Sequence, residues 1–307
     1  MAVTARSGGD VTAGAADGRP PATTLREEIA AAARWLADAG VPSPSHDAEE
    51  LAGHVLGMPR SRLALAGPLT AEQQARYAEL VDERASRVPL QHLTGVAGFR
   101  RLELAVGPGV FVPRPETEVL VDWALAALAG VAEPVVVDLC AGSGAVALAL
   151  ANELPGRPRV HAVERDPLAL GWAQRNAEAR FAAGDPAVVL HRGDISDPRL
   201  LADLADPVDL VTANPPYVPD GSLLEPEVAR HDPPAALWGG ADGLGLVRYV
   251  ERAAARLLRP GGAVAVEHAD VQGESVPAVF ARTGRWTDVA DHPDLAGRPR
   301  FTTARRA

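Results

Sequence analysis

"VVVDLCAGSGAVALAL", residues 135–150, decides how the rest of the chain is read. A β-branched apolar run reads as a strand, Ala141 to Gly144 as a glycine loop, and the Ala/Leu run after it as a helix. Gly142 and Gly144 let the backbone turn tightly and approach a ligand closely. Strand, glycine loop and helix in that order predict an α/β nucleotide-type fold with its ligand at the strand ends.

On the C-terminal side the periods keep alternating. "RVHAVERD" (159–166), "AVVLHRGD" (187–194), "DLVTANPP" (209–216) and "GAVAVEHA" (262–269) read as strands. "PLALGWAQRNAEARF" (167–181) and "LGLVRYVERAAARLL" (244–258) read as helices. Strands alternating with helices predict a doubly wound sheet.

On the N-terminal side the pattern differs. "LREEIAAAARWLADAG" (25–40) carries apolar residues at helical spacing and stops at Gly40. "SPSHDAEELAGHVLG" (43–57) predicts a helix capped by Ser45 and ended by Gly57, and Thr70 caps a third helix. Residues 25–88 therefore predict a small helical bundle. Residues 89–112, rich in Gly with short apolar alternations, predict a hairpin linker to a domain spanning 113–307. Residues 1–24, with their Gly, Ala, Thr and Pro, predict a disordered tail. His46 and His54 read as solvated helix positions, since no Cys or carboxylate cluster accompanies them.

Composition narrows the classes. The 307 residues are 47% hydrophobic and 23% charged, ordinary for a soluble globular protein. No apolar run reaches membrane-span length, and the start shows no apolar signal core, so a cytoplasmic protein is expected. The one cysteine, Cys140, cannot form an internal disulfide. A net charge of −10 and no basic run beyond the closing "TARRA" argue against nucleic acid as the partner. No metal is expected.

Three strand ends outline a nucleoside pocket. After the glycine loop comes Glu164, placed to accept a ribose's hydroxyls. Asp194 ends the next strand, where its carboxylate faces an adenine's amine and Ile195 packs on the ring. The fourth strand ends in "NPPY", Asn214 to Tyr217. Pro215 and Pro216 have no N–H, so the corner presents acceptors: the Asn214 side-chain oxygen and the Pro215 carbonyl. Tyr217 can stack behind a flat group. Such a corner clamps a planar –NH2 facing an electrophilic methyl, and orientation carries most of the catalysis.

At these residues the chain resembles class I S-adenosylmethionine-dependent methyltransferases. "RVPLQHLTG" (87–95), "GVFVPRPETEVLV" (109–121) and "DPPAALWGGADGL" (232–244) narrow the likeness to the HemK-type peptide chain release factor glutamine methyltransferases. The resemblance implies a Rossmann-like methyltransferase domain behind a substrate-recognising helical bundle. It implies methyl transfer from S-adenosyl-L-methionine to the glutamine N5 in the Gly-Gly-Gln motif of class I release factors. Cys140, Ala141, Gly142, Ser143, Gly144, Glu164, Ile195 and Asn214 would then contact the cofactor, and Asn214, Pro215, Pro216 and Tyr217 the glutamine. Phe111 and the "PRPETE" side chains Arg114, Glu116 and Glu118 would close the methionine side or brace the loop. Two positions depart from the family pattern: Cys140 replaces a glycine, and Glu164 replaces an aspartate. Three rival readings are a nucleic-acid exocyclic-amine methyltransferase, a nicotinamide oxidoreductase and a non-catalytic adenosylmethionine binder. The first predicts a basic face, the second leaves "NPPY" unused, and the third does not need an amine clamp.

Overall fold

The computed structural model describes residues 24–307. The tail expectation falls on residues outside the described ones, except for Thr24, which caps the first helix. Between Ala85 and Ser86 the chain divides into two compact units.

The first unit is helical, with α1 (Leu25–Asp38), α2 (Pro44–Leu56) and α3 (Ala71–Ala85). Thr24 and Glu27 close a capping box on α1. Thr70 and Gln73 do the same for α3, with N–H to side-chain distances of 3.0 and 3.2 Å. Ser45 is not the cap of α2. Pro44 has its φ already fixed for a first helical position, so the helix starts there and Ser45 falls inside its first turn. Gly57 ends α2 in the left-handed conformation at φ 64°. Leu36, Leu51 and Leu80 are fully buried, each contributing about 2 kcal/mol of transfer free energy. Arg84 pairs with Asp47 inside the unit at 2.7 Å.

The second unit opens with α4 (Leu90–Thr94) and a hairpin of β1 (Val96–Phe99) and β2 (Leu102–Ala105). Phe99, Leu102 and Leu104 are buried in the same core as the sheet and its helices, so this hairpin is part of the second unit's packing. The following elements are α5 (Glu118–Ala127), β3 (Val135–Leu139), α6 (Ala145–Glu153), β4 (Arg159–Glu164), α7 (Pro167–Ala182), β5 (Val188–Arg192) and β6 (Val208–Ala213). Then come α8 (Pro226–His231), α9 (Gly245–Leu257), β7 (Leu258–Glu267), α10 (Ser275–Ala281), β8 (Trp286–Pro293) and β9 (Pro299–Arg306).

The seven-stranded sheet runs β5-β4-β3-β6-β7-β9-β8. β3 to β7 are parallel, and β9 runs antiparallel to both of its neighbours. Every residue of β3 is buried, as expected of a central parallel strand covered on both faces. Residues 145–151 of α6 are buried all round, which its run of Ala, Val and Leu permits. This is the predicted doubly wound α/β architecture, with an antiparallel edge added. The closing "TARRA" is not a loose basic tail. Thr302, Thr303 and Ala304 are buried in β9, and Arg305 and Arg306 donate to the carbonyls of Gly261 and Ala255.

Candidate active site

Chain order sets the site. After β3 the chain winds outward through β4 and β5, then crosses back to lay β6 against the other side of β3. The crevice at the carboxyl ends of β3 and β6 is the topological switch point. Register makes this specific. Leu139 pairs with Val163 on one side and Ala213 on the other, and Ala213 pairs with Val266. The next residue on each strand is therefore Glu164, Cys140, Asn214 and Glu267, side by side in one row. Three of these were singled out from the sequence; Glu267 was not.

All four line a cavity of about 470 Å³. Phe111, Ala141, Gly142, Ser143, Asp194, Ile195, Pro216 and Tyr217 line it too. Gly144 and Pro215 do not. Gly144 lies one step behind, at φ 85°, where it starts α6 and an added Cβ would press on Leu148 at 3.2 Å. Pro215 is buried behind the corner.

At the glycine end the backbone turns twice through the left-handed region, Cys140 at φ 60° and Gly142 at φ 57°. Around Gly142 a Cβ would meet nothing within 4 Å, so its open side faces the cavity. The Glu164 carboxylate holds this loop: Oε2 accepts from the Gly142 N–H at 2.9 Å and Oε1 from the Asp166 N–H at 2.8 Å. Each oxygen keeps a second lone pair for a ligand. Asn176 on α7, unnoticed in the sequence, ties Ser143 O to Ala105 of β2. Asp194 accepts from the Ser196 N–H at 2.8 Å, a bond that holds its carboxyl below the usual range. Burial pushes the Cys140 thiol well up, so it stays protonated at neutral pH. Beneath the loop, Asp138 takes the Thr212 hydroxyl at 2.8 Å, and burial pushes its carboxyl up to about 7.

The corner end is built differently. The Asn214 Nδ2 donates to Thr117 Oγ1 at 3.3 Å, and the Tyr217 hydroxyl donates to Glu267 Oε1 at 3.5 Å. The Gln272 amide fixes the Tyr217 carbonyl at 3.0 Å. Glu267 is fully buried, its carboxyl pushed up to about 7 chiefly by that burial. Arg114 lies 4.8 Å over the Phe111 ring and pairs with buried Asp232 at 2.9 Å, tying "PRPETE" to "DPPAAL". Glu116 lines the cavity, whereas Glu118 lies outside it and accepts from the Arg100 N–H at the hairpin turn, 2.9 Å away.

With this geometry in place, comparison with known proteins is direct. The PrmC N-terminal domain family matches residues 27–95, and the methyltransferase small domain family matches residues 102–230. A release factor glutamine methyltransferase of Streptomyces coelicolor is 54% identical over 92% of this chain and 98% of its own. The chain belongs to the release factor glutamine methyltransferase family. Another member, from Mycolicibacterium smegmatis, is 50% identical over 92% of this chain and 98% of its own. A more distant relative from Streptomyces pristinaespiralis, a 4-amino-L-phenylalanine/4-methylamino-L-phenylalanine methyltransferase, is 40% identical over 89% of this chain and 92% of its own. As in the resemblance drawn from the sequence, the methyltransferase fold and the helical N-terminal unit go together. Among the described residues no helix is long and apolar enough to cross a membrane, and no group of three or more His, Cys, Asp or Glu is placed to hold a metal ion.

Proposed function

We propose that this release factor glutamine methyltransferase acts on the side-chain amide nitrogen, N5, of the glutamine in the Gly-Gly-Gln motif of class I release factors, with S-adenosyl-L-methionine as donor. The observation that carries the reading is the row at the switch point. There a glycine loop and a proline-stiffened amide corner stand on neighbouring strands and open on one cavity.

The residues fit the donor. Gly142 leaves open space for a ligand against the backbone, and Glu164 offers lone pairs to ribose hydroxyls. Asp194 and Ile195 stand at the adenine end, and Phe111 lies under Arg114 at the other wall. When bound, the donor supplies an electrophilic methyl whose S–C bond breaks toward sulfur, which leaves as a neutral thioether.

Everything else falls to the protein. An amide nitrogen is a poor nucleophile, so the corner has to hold it in line and make its hydrogens acidic. Asn214 Oδ1 accepts one N–H, a carbonyl of the corner takes the other, and Tyr217 stacks on the amide plane. As the N–C bond forms, positive charge grows on nitrogen, and acceptors already aimed there stabilise it without reorganising. The nitrogen then sheds one proton to solvent and ends as a neutral N-methyl amide. Arg114, paired with Asp232, braces the wall above. The acidic total charge supports a protein substrate over a polyanion.

The test offers labelled S-adenosylmethionine with purified release factor, total RNA, DNA and 4-amino-L-phenylalanine in parallel. Label on the release factor that disappears when the Gly-Gly-Gln glutamine becomes alanine is the expected result. Label on RNA, DNA or the free amine alone would overturn the reading.

A further inference from the structure

The Asn214 side chain could face the cavity oxygen first or NH2 first, because the two ends of an amide are the same size. Only the oxygen-first arrangement welcomes a planar amine. What decides lies on the far side of the residue. Nδ2 donates to Thr117 Oγ1, 3.3 Å away. A hydroxyl can accept that bond and still give its own proton to something else. Glu267 is the group available: it is 2% exposed, and the Thr117 and Asn214 side chains both favour its charge. Its Oε1 receives the Tyr217 hydroxyl, while Oε2 has no direct hydrogen-bond partner and faces the cavity wall. Ionised, a carboxylate can only accept, so it orders its neighbours into donors.

Resting on the reading that the corner receives a planar –NH2, we propose that Glu267 is a positioning residue for methyl transfer. Its carboxylate draws the Thr117 hydroxyl and the Tyr217 hydroxyl toward itself, and through Thr117 it turns Asn214 so that Oδ1 meets the substrate. Glu267 earns this control from register alone, since it follows Val266, the partner of Ala213. Arg300 of β9 favours its charge, whereas Glu116, from the turn before α5, opposes it. Burial outweighs the favourable contacts and pushes the carboxyl up to about 7. Protonation then occurs close to neutrality, the carboxyl becomes a donor, and Asn214 is no longer held to one orientation. Turnover falls as pH drops through that range, while binding of the donor at the glycine end does not.

The experiment compares wild type with Glu267→Gln in steady-state methyl transfer to release factor between pH 5.5 and 9. The glutamine presents a donor and an acceptor together and cannot order its neighbours. Its kcat at pH 8 should fall about ten- to a hundredfold, the range for losing a hydrogen bond to a charged group. KM for the release factor and Kd for S-adenosylmethionine should stay within about twofold, and the acid limb of the wild-type kcat profile should vanish. Thr117→Val, which cuts the relay and leaves Glu267 in place, should show a comparable kcat loss, and Thr117→Ser should recover most of it. Unchanged kcat with an unchanged acid limb in Glu267→Gln overturns the proposal, as does a loss confined to donor binding. Wild type that labels a different planar amine would sink the glutamine reading alone, and the same variants are then compared on that amine.

Discussion

Two carboxylates in one row, Glu164 and Glu267, end neighbouring parts of the same sheet and do opposite things. Glu164 has both oxygens bonded to backbone N–H groups, so its loop is shaped before any ligand arrives. Glu267 stands where the prolines have removed backbone donors, and one of its oxygens has no direct partner. A strand end that supplies donors binds; one stripped of donors is left to react. The difference lies in the few residues that follow each strand, a glycine loop in one case and Asn-Pro-Pro-Tyr in the other.

The sharpest way to break this contrast is Asn214→Ala. Turnover should fall about a hundred- to a thousandfold, the scale for one preorganised polar group at a charge-developing centre. Donor affinity, read by calorimetry, should hardly move; an equal loss in both would put Asn214 in the binding half. Glu164→Ala should act in reverse. Freeing two N–H groups should raise the S-adenosylmethionine Kd about ten- to a hundredfold, with kcat at saturating donor largely kept. Unaltered donor affinity would remove Glu164 from the ribose.

Much of the first half of this contrast was legible in the sequence, because it is local. A glycine loop after a β-branched run, a carboxylate at the next strand end, and two prolines closing a strand are each written in a few consecutive residues. Glu267 was not legible in that way. In "GAVAVEHA" a charged residue ending an apolar run reads as a solvated strand end, and only the pairing of Val266 with Ala213 shows that it is buried beside Asn214. Asn176 was hidden for the same reason, its partners being 71 and 33 residues away. β8 and β9 escaped because much of β8 is exposed and polar, which leaves no clean alternation to read. Ser45 was misjudged one step from a proline that had already started the helix.

Asp138 tests whether burial alone makes a carboxyl functional. Its folded-state pKa, pushed up to about 7, lies above the ordinary 3.8. Its contribution to stability is therefore full below about pH 4 and is lost as pH rises through 7. Asp138→Asn should be more stable than wild type by on the order of 1 kcal/mol at pH 8, with the gap closing toward pH 5 in thermal unfolding. A gap that is constant with pH would mean that the charge of Asp138 is not what costs stability. Cys140→Gly should change least. Relief of a left-handed non-glycine residue, about 1 kcal/mol, roughly offsets the packing lost with the thiol. Destabilisation beyond about 2 kcal/mol in denaturant titration would show that the sulfur itself holds the loop.

β9 enters the sheet between β7 and β8, and its Arg300 lines the cavity beside Glu267. Synthesis runs from the N-terminus, so the glycine loop leaves the ribosome well over a hundred residues before the arginine that faces the corner. The donor half can fold on the growing chain, but the transfer half has to wait for the last strand. An enzyme of the translation apparatus would thus be unable to transfer a methyl group until its own translation was all but finished.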